Sequence, residues 1–106
     1  MTENCIFCNL PPQATIVENE LAFAIYDKFP KTEGHTLVLT KRHVDNFFEI
    51  TDAEMLAIKQ LLCQMKEMLK SKDATIAGFN VQTNIGKVAG QEIMHCHFHL
   101  LPRRVK

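Results

Sequence analysis

Three histidines occupy every second position of the stretch IMHCHFHLLPR, residues 93 to 103. They are His95, His97 and His99, and Cys96, Phe98 and Leu100 are interleaved with them. Every second side chain of an extended strand points to the same face, so the pattern predicts a β-strand with a chemical face and a core face. At roughly 3.3 Å per residue the outer histidines lie about 13 Å apart, too far for one zinc ion to bind all three. The histidines are therefore expected to have different tasks.

One helix stands out in the rest of the chain, from Thr51 to about Ser71. Thr51 and Glu54 have the spacing of a capping box, and apolar residues then repeat every three or four positions. Strands are predicted in TIVENELAFAIYD, as a pair about a turn at residues 18–20, in HTLVLTKRH and in GFNVQTN. This order predicts the α+β class, an antiparallel sheet of about five strands with one long helix packed on a face. No repeat or linker divides the chain, so a single domain is expected over residues 1–106.

The balance of charge limits the kinds of partner. The chain has 12 basic and 12 acidic residues, which argues against a surface attracted to nucleic acid or to an acidic membrane. No apolar run approaches the roughly 18 residues of a spanning helix, and the start MTENCIFCNL has neither the basic nor the apolar region of a signal peptide. The expected protein is soluble and cytoplasmic, without a nucleic-acid or membrane partner.

The four cysteines are unevenly placed. Cys5 and Cys8 form a C-x-x-C pair, whereas Cys63 and Cys96 are isolated and are expected to pack in the core as small hydrophobic residues. In a reducing compartment the pair indicates metal or redox chemistry. A redox pair of the thioredoxin type should follow the first strand of a βαβ unit, but this pair lies within the first ten residues. A metal site is therefore the favoured reading.

A structural zinc site takes four ligands, of which Cys5 and Cys8 supply two. His43 and His95 are the natural candidates for the others, and such a site would join the N-terminus to the histidine strand. The alternative is a catalytic zinc ion, which needs an open coordination position for water. Two cysteines and two histidines would close the site, so the coordination number distinguishes the two.

His97 and His99 then remain for chemistry, with His35 behind them. A neutral imidazole can attack phosphorus, and a second imidazole can protonate the leaving group or stabilise phosphoryl oxygens. The glycine-containing loop before the strand, with the amides of Asn84 and Gln91, could bind phosphate oxygens. This arrangement predicts covalent catalysis without a catalytic metal.

Four segments together resemble the histidine triad (HIT) family of nucleotide hydrolases and transferases. The segment HCHFHLL matches the pattern His-φ-His-φ-His-φ-φ, in which φ is apolar, and GQEIMHCHFHLLPR resembles the C-terminal signature of the family. YDKFPKTEGHTLVLTKRHV resembles an upstream segment of the family, and CIFC resembles the zinc-binding start of many bacterial members. The resemblance is to bacterial-type histidine triad nucleotide-binding proteins and dinucleoside polyphosphate hydrolases. It implies a HIT-like fold with a short N-terminal helix and a homodimer.

The resemblance also implies an activity. His97 would attack the α-phosphorus of a nucleoside 5′-phosphoramidate or dinucleoside polyphosphate, form a nucleotidyl-histidine intermediate and release a nucleoside monophosphate, AMP or another purine nucleotide. His99 would contact the phosphate or the leaving group, and His35 would support the network of hydrogen bonds around them. The alternative is a nucleotide-binding regulatory module with little turnover, which acts through partners.

Substrate-binding residues and zinc ligands are implied in the same way. Asp27 would hold the ribose hydroxyls and Ile25 would lie near the base. The implied residues around the phosphate and the leaving group are Asn84, Gly90, Gln91 and Glu92. Glu92 stands where many members have serine or threonine. The implied ligands of a structural zinc ion are Cys5, Cys8, His43 and His95.

Overall fold

The structure, a computed structural model, describes residues 4–105. Its strands are β1 (Val17–Glu18), β2 (Ala22–Tyr26), β3 (Thr36–Thr40), β4 (Ile76–Gln82) and β5 (His97–Arg104), and its helix α1 spans Asp52–Lys72. The strands form one antiparallel sheet in the order β1-β2-β3-β5-β4, which confirms the predicted α+β fold. Near the N-terminus, a short 3-10 helix spans Pro12–Ala14. Residues 1–3 and 106, the ends of the predicted domain, lie outside the described range.

Helix α1 begins where its capping box predicts. The Thr51 hydroxyl accepts the Glu54 N–H at 3.0 Å, and the Glu54 carboxylate accepts the Thr51 N–H at 2.9 Å. Glu54 is only 3% exposed, and Arg42 donates to it from Nε at 3.0 Å and from Nη2 at 2.8 Å. These bonds from Arg42 hold the pKa of Glu54 below its usual value against the effect of burial. The pair joins the loop after β3 to the start of the helix.

Each face of the sheet carries its own core. On one face, α1 covers Ala24, Val38, Phe98, Leu100 and their neighbours. On the other, the N-terminal residues Cys5 and Phe7 pack against Ile25, Leu37 and Leu39. In the sheet, Leu39 is paired with His97 and Leu37 with His99, so these histidines share the second face. That surface is called the histidine face below.

Strand β5 starts later than the alternation suggests, at His97 rather than residue 93. Before it, the His95 N–H donates to the Ile93 carbonyl at 2.9 Å, and the Cys96 N–H donates to the Val44 carbonyl at 2.7 Å. The chain there bonds to the loop after β3, so it does not continue the ladder. His95 consequently stands at the entrance to the strand, next to that loop.

The two isolated cysteines differ in burial. Cys96 is 1% exposed, as predicted, and burial raises the pKa of its thiol to about 11. The prediction that Cys63 is buried was wrong, because its thiol is exposed on α1. Leu61 and Met65, on either side of it in sequence, are the residues that face the sheet. Among residues 4–105, no helix is long and apolar enough to cross a membrane.

Candidate functional site

The four predicted metal ligands converge beside the N-terminal turn. Cys5 Sγ lies 3.4 Å from His95 Nδ1, and Cys8 Sγ lies 3.5 Å from the same nitrogen. Cys8 Sγ is also 3.2 Å from His43 Nδ1, and all four ligand atoms lie within 4.8 Å of one another. The turn that carries the two thiols is closed by a hydrogen bond from Cys8 N–H to the Cys5 carbonyl at 3.2 Å. The fold therefore brings together residues that are up to 90 positions apart in the sequence.

This donor set fits a tetrahedral zinc ion. Bonds of about 2.0 to 2.3 Å would separate tetrahedral ligand atoms by roughly 3.3 to 3.8 Å, close to the distances observed. His95 Nε2 lies 2.7 Å from the Thr40 carbonyl, which has only lone pairs to offer. Nε2 must then carry the ring proton, and Nδ1 turns its lone pair toward the thiols. A zinc ion bound by two cysteines and two histidines has no open position for water.

A second cluster contains Asp27, His35 and His99, and its hydrogen bonds indicate a different use. His35 Nε2 lies 2.9 Å from His99 Nδ1 and 3.4 Å from Asp27 Oδ2. The Lys31 N–H donates to His35 Nδ1 at 3.1 Å, so the proton of neutral His35 must lie on Nε2. A protonated nitrogen cannot ligate a metal ion. We therefore assign this cluster as a hydrogen-bonded chain in which His35 donates to His99.

Hydrogen-bond partners also assign the tautomers of His97 and His99. Because His99 Nδ1 accepts from His35, the proton of neutral His99 lies on Nε2, where it can be donated. His97 Nδ1 lies 2.7 Å from the His95 carbonyl and must donate to it, which leaves the lone pair of His97 on Nε2. The His97 and His99 rings are 5.1 Å apart. An acceptor nitrogen and a donor N–H thus stand side by side.

Burial keeps these imidazoles neutral. Desolvation lowers the pKa of His97, which is 8% exposed, despite opposing effects that include the bond to the His95 carbonyl. Desolvation, followed by the proximity of His97 and His35, lowers the pKa of His99 to about 4. Burial also lowers the pKa of His35, even though the Asp27 carboxylate opposes the shift. All three rings are therefore uncharged near neutral pH.

The loop before β5 holds the predicted phosphate-binding residues. Gly86 and Gly90 adopt φ values of 89° and 97°, in the region that favours glycine. Asn84 is half-buried and its amide reaches the Gly90 carbonyl only at 3.4 Å. The Gln91 side-chain amide donates to the Asp45 carbonyl at 2.6 Å and to the Ile93 carbonyl at 3.0 Å. Its side-chain oxygen accepts the Gly86 N–H at 2.8 Å, so the Gln91 side chain braces the loop.

The other predicted substrate contacts are spread around the histidines. Asp27 is half-buried, with Oδ1 accepting the Phe29 N–H at 2.9 Å and Oδ2 facing His35. Ile25 is 5% exposed, beneath the N-terminal segment on the histidine face. Glu92 is exposed and lines a cavity of about 370 Å³ with His43. Of these three residues, only Asp27 makes a polar contact with the hydrogen-bonded pair of His35 and His99.

Sequence reasoning missed several residues that shape the site. The Phe7 ring is centred 5.1 Å from that of His97 and 5.9 Å from that of His95. The Thr83 hydroxyl donates to the His97 carbonyl at 2.8 Å and ties the start of the loop to β5. Phe7 is one of two apolar residues between the cysteines, and the other, Ile6, is 59% exposed, so the sequence position indicates neither the burial of Phe7 nor its neighbours. The backbone partners Lys31 N–H and Thr40 carbonyl have no signal in sequence, because any residue supplies them.

Comparison with known proteins gives a consistent result. A family model described as the HIT domain matches residues 10–106. An uncharacterized HIT-like protein of Saccharolobus solfataricus is 38% identical over 106 residues, covering 92% of this chain and 73% of that protein. The solved structure of a hypothetical histidine triad nucleotide-binding protein from Sulfolobus tokodaii has a TM-score of 0.87 and 31% identity, over 96% of this chain and 70% of that one. A zinc-bound histidine triad family protein from Mycobacterium smegmatis has a TM-score of 0.86 and 29% identity, over 98% and 78%.

Proposed function

Because the chain belongs to the HIT domain family, we propose that it cleaves a nucleoside 5′-phosphate derivative at the α-phosphorus through a covalent intermediate on His97. The substrate is a phosphoramidate or a dinucleoside polyphosphate, with a purine base, and the product is the nucleoside monophosphate. The family belongs to a superfamily of nucleotide-binding proteins and hydrolases. The bond to the α-phosphorus is the one cleaved, and His97 is the residue that attacks it.

The observation that carries the proposal is the orientation of His97. Its Nδ1 is held by the His95 carbonyl at 2.7 Å, so the lone pair lies on Nε2, and burial keeps that nitrogen unprotonated. A fixed, neutral imidazole is a competent nucleophile, because no proton must be removed before it attacks. His99 presents a neighbouring N–H whose position is set by the chain from Lys31 through His35.

In the first step, the Nε2 lone pair of His97 forms a bond to the α-phosphorus. The bond from phosphorus to the leaving group breaks, and the leaving group departs with the electron pair and takes a proton from solvent. The His99 N–H donates to a phosphoryl oxygen as negative charge develops there. In the second step, water attacks the phosphorus, the bond to Nε2 breaks, and the proton of the water passes to solvent. His97 recovers the lone pair on Nε2, and Nδ1 keeps its proton and its bond to the His95 carbonyl through both steps.

We propose that Asp27 and Ile25 contact the nucleoside, and that the Asn84–Gly90 side of the loop contacts the phosphate. Asp27 has the hydrogen-bonding capacity to hold ribose hydroxyls, since the carboxylate is half-buried and at the edge of the histidine chain. Glu92 would face the leaving group. Since the Gln91 side chain is bonded within the loop, its contribution would be to hold the phosphate-binding backbone in shape.

We propose that the Cys5, Cys8, His43 and His95 cluster binds a structural zinc ion. The ion would attach the N-terminal turn to the entrance of β5 and would supply folding free energy rather than an activated water. Thiolate ligands persist in a reducing compartment, which fits a cytoplasmic protein. Loading is tested by metal analysis of the purified protein.

We further propose a homodimer. Strand β4 forms an edge of the sheet, and its Val81 is 52% exposed. An exposed edge strand with an apolar side chain is a template for pairing with a second chain. Light scattering at several protein concentrations tests this, with Val81→Lys expected to shift the population toward monomer.

The decisive experiment is mass spectrometry of the intact protein after brief reaction with adenosine 5′-phosphoramidate and a quench that avoids acid. We expect one adenylyl group on the wild-type protein and none on His97→Ala. The melting temperature and zinc content of the variant serve as controls for folding. An adduct that persists in His97→Ala would refute the assignment of the nucleophile.

A different outcome would favour the nucleotide-binding module. Saturable binding of AMP, with neither an adduct nor released monophosphate, would indicate a pocket that binds without turnover. That result would leave the site geometry intact and would contradict the proposed reaction.

A further inference from the structure

Phe7 is a large apolar residue that lies in sequence between the two cysteines of the proposed zinc site. It is 6% exposed and packs on the histidine face with Ile25, Leu37 and Leu39. Its ring packs edge-to-face against both His95 and His97, with interplanar angles of 86° and 70°. Phe7 thus contacts a member of the cluster that would bind zinc and the imidazole that would attack phosphorus.

The backbone on both sides of Phe7 is restrained. The Cys8 N–H donates to the Cys5 carbonyl at 3.2 Å, and the Asn9 side-chain amide donates to the same carbonyl at 2.7 Å. Cys5 and Cys8 also lie beside His95 Nδ1 at 3.4 and 3.5 Å. The turn is closed by hydrogen bonds and both of its thiols lie beside His95. The phenylalanine ring between them in sequence therefore has little freedom to move away from His97.

His97 itself has two restraints of different kinds. The hydrogen bond from Nδ1 to the His95 carbonyl orients one edge of the ring. That bond restrains the ring at one edge only. The packed ring of Phe7 excludes water from one side of His97 and occupies space into which the imidazole would otherwise turn.

We propose that Phe7 is a positioning residue that holds His97 in the orientation and tautomer needed for attack. This inference rests on the proposed role of His97 as the nucleophile. In it, the N-terminal turn is a wall of the reactive site as well as a metal-binding segment. Phe7 touches neither the phosphorus nor the leaving group and acts only through the ring of His97.

The test compares Phe7→Leu with Phe79→Leu. The first variant keeps an apolar side chain but removes the aromatic ring beside His97. The second makes the same change at a half-buried phenylalanine that packs on the helix side of the sheet. Full-length, zinc-loaded proteins labelled with nitrogen-15 in histidine report the tautomer of each ring by NMR, without substrate.

In wild type and Phe79→Leu we expect a single tautomer of His97, with the proton on Nδ1. In Phe7→Leu we expect a mixture of tautomers. The rate of adenylyl transfer to His97 should fall about tenfold or more, because small losses of orientation are costly, while KM stays within about twofold. The zinc content of each variant is measured alongside. If Phe7→Leu fails to bind zinc, Phe7→Met keeps most of the volume and should show the same change in smaller measure.

A single unchanged tautomer and an unchanged transfer rate in a zinc-loaded Phe7→Leu protein would overturn the inference. An equal loss of rate in Phe79→Leu would also overturn it, because the effect would then be one of general stability. If wild-type protein forms no adenylyl adduct, the proposed reaction fails. The NMR comparison would still decide whether Phe7 orients His97.

Discussion

The depressed pKa of His99 predicts that the proposed reaction tolerates acid better than an exposed histidine would allow. His99 lies beside two other imidazoles and is half-buried, and its pKa is lowered to about 4. A proton on its Nδ1 would break the bond from His35 Nε2, which is 2.9 Å long. The hydrogen-bonded chain that orients the His99 N–H would be lost at the same time.

The expected size of the effect follows from the two values. At about pH 5.5, a histidine with a pKa of about 4 is roughly 3% protonated, whereas one at 6.5 is about 90% protonated. Ionisation of His99 should therefore change kcat/KM by less than about twofold between about pH 7.5 and about pH 5.5, against about tenfold for an unperturbed group. Burial lowers the pKa of the proposed nucleophile His97 as well, so its ionisation acts in the same direction. The ratio kcat/KM is the appropriate quantity because it reports ionisation in the protein without substrate, to which the lowered pKa of His99 applies.

The assay measures initial rates of adenosine monophosphate release, with the non-enzymatic rate subtracted at each pH. Asp27→Asn is the informative variant, since the Asp27 carboxylate opposes the downward shift of the His99 pKa. Removing that charge should move any acid limb to still lower pH, whatever its effect on KM. If kcat/KM of the wild-type protein instead falls to half near the ordinary pKa of histidine, while the protein remains folded, the lowered pKa of His99 is contradicted.

The same shift affects stability. Because the pKa of His99 is lower in the folded state, the unfolded chain binds the proton more readily between about pH 6.5 and about pH 4. The contribution of neutral His99 to the free energy of unfolding is complete above the pKa of the unfolded state. It is lost as the pH falls toward the pKa of the folded state. It amounts to up to about 3 kcal/mol. Thermal unfolding of wild type and His99→Asn across this range should show a smaller pH dependence in the variant.

Three further predictions concern the parts that support the site. Cys8→Ala should lose bound zinc, measured by atomic absorption, and melt at a lower temperature while retaining some activity, as expected for the proposed structural zinc ion. Glu54→Gln should lower the free energy of unfolding by about 2 kcal/mol, since Arg42 loses its charged acceptor. In a scanning calorimeter this is a fall in Tm of roughly 8 to 12 °C. Iodoacetamide should modify the exposed Cys63 well before Cys96, whose pKa is about 11, as followed by peptide mass spectrometry.

Each has a result that would contradict it. Zinc retained by Cys8→Ala would remove that thiol from the ligand set, and loss of activity without loss of stability would indicate a catalytic ion. Glu49→Gln is the control for Glu54→Gln, since the Glu49 side chain is exposed and Arg42 bonds its carbonyl rather than its carboxylate. Equal losses of stability in the two variants would discount the buried pair. Faster alkylation of Cys96 would show that the core around it opens.

Much of the fold could be predicted because the relevant patterns are local. The capping box at Thr51 and the apolar stripe of α1 depend on neighbours within a few residues, and both appear in the structure. Cys63 is the exception within the helix. Its chemistry favours burial, but its angular position turns it away from the sheet. A single residue type is a weaker guide than a periodic pattern, because packing geometry decides which side of the helix is covered.

The same distinction applies to the site. His97 and His99 were expected on one face because strands alternate, and the structure places them so. The phosphate-binding role expected of Gln91 stays a prediction, and the structure adds that its side chain bonds to backbone groups of its own loop and of residue 45. Which partner an amide finds depends on where the chain returns, and no pattern in the sequence records that.

The order of helix and strands, the face shared by His97 and His99 and the pair of thiols near the N-terminus all follow from periodicity and from the chemistry of residue types. The free nitrogen of each imidazole depends instead on the tertiary structure. Long-range backbone partners assign the ring proton of His95 to Nε2, through the Thr40 carbonyl 55 residues away, and tertiary packing sets Phe7 against His97. Every residue has a backbone carbonyl, so the carbonyl that accepts a given hydrogen bond is decided by position in space and not by residue type.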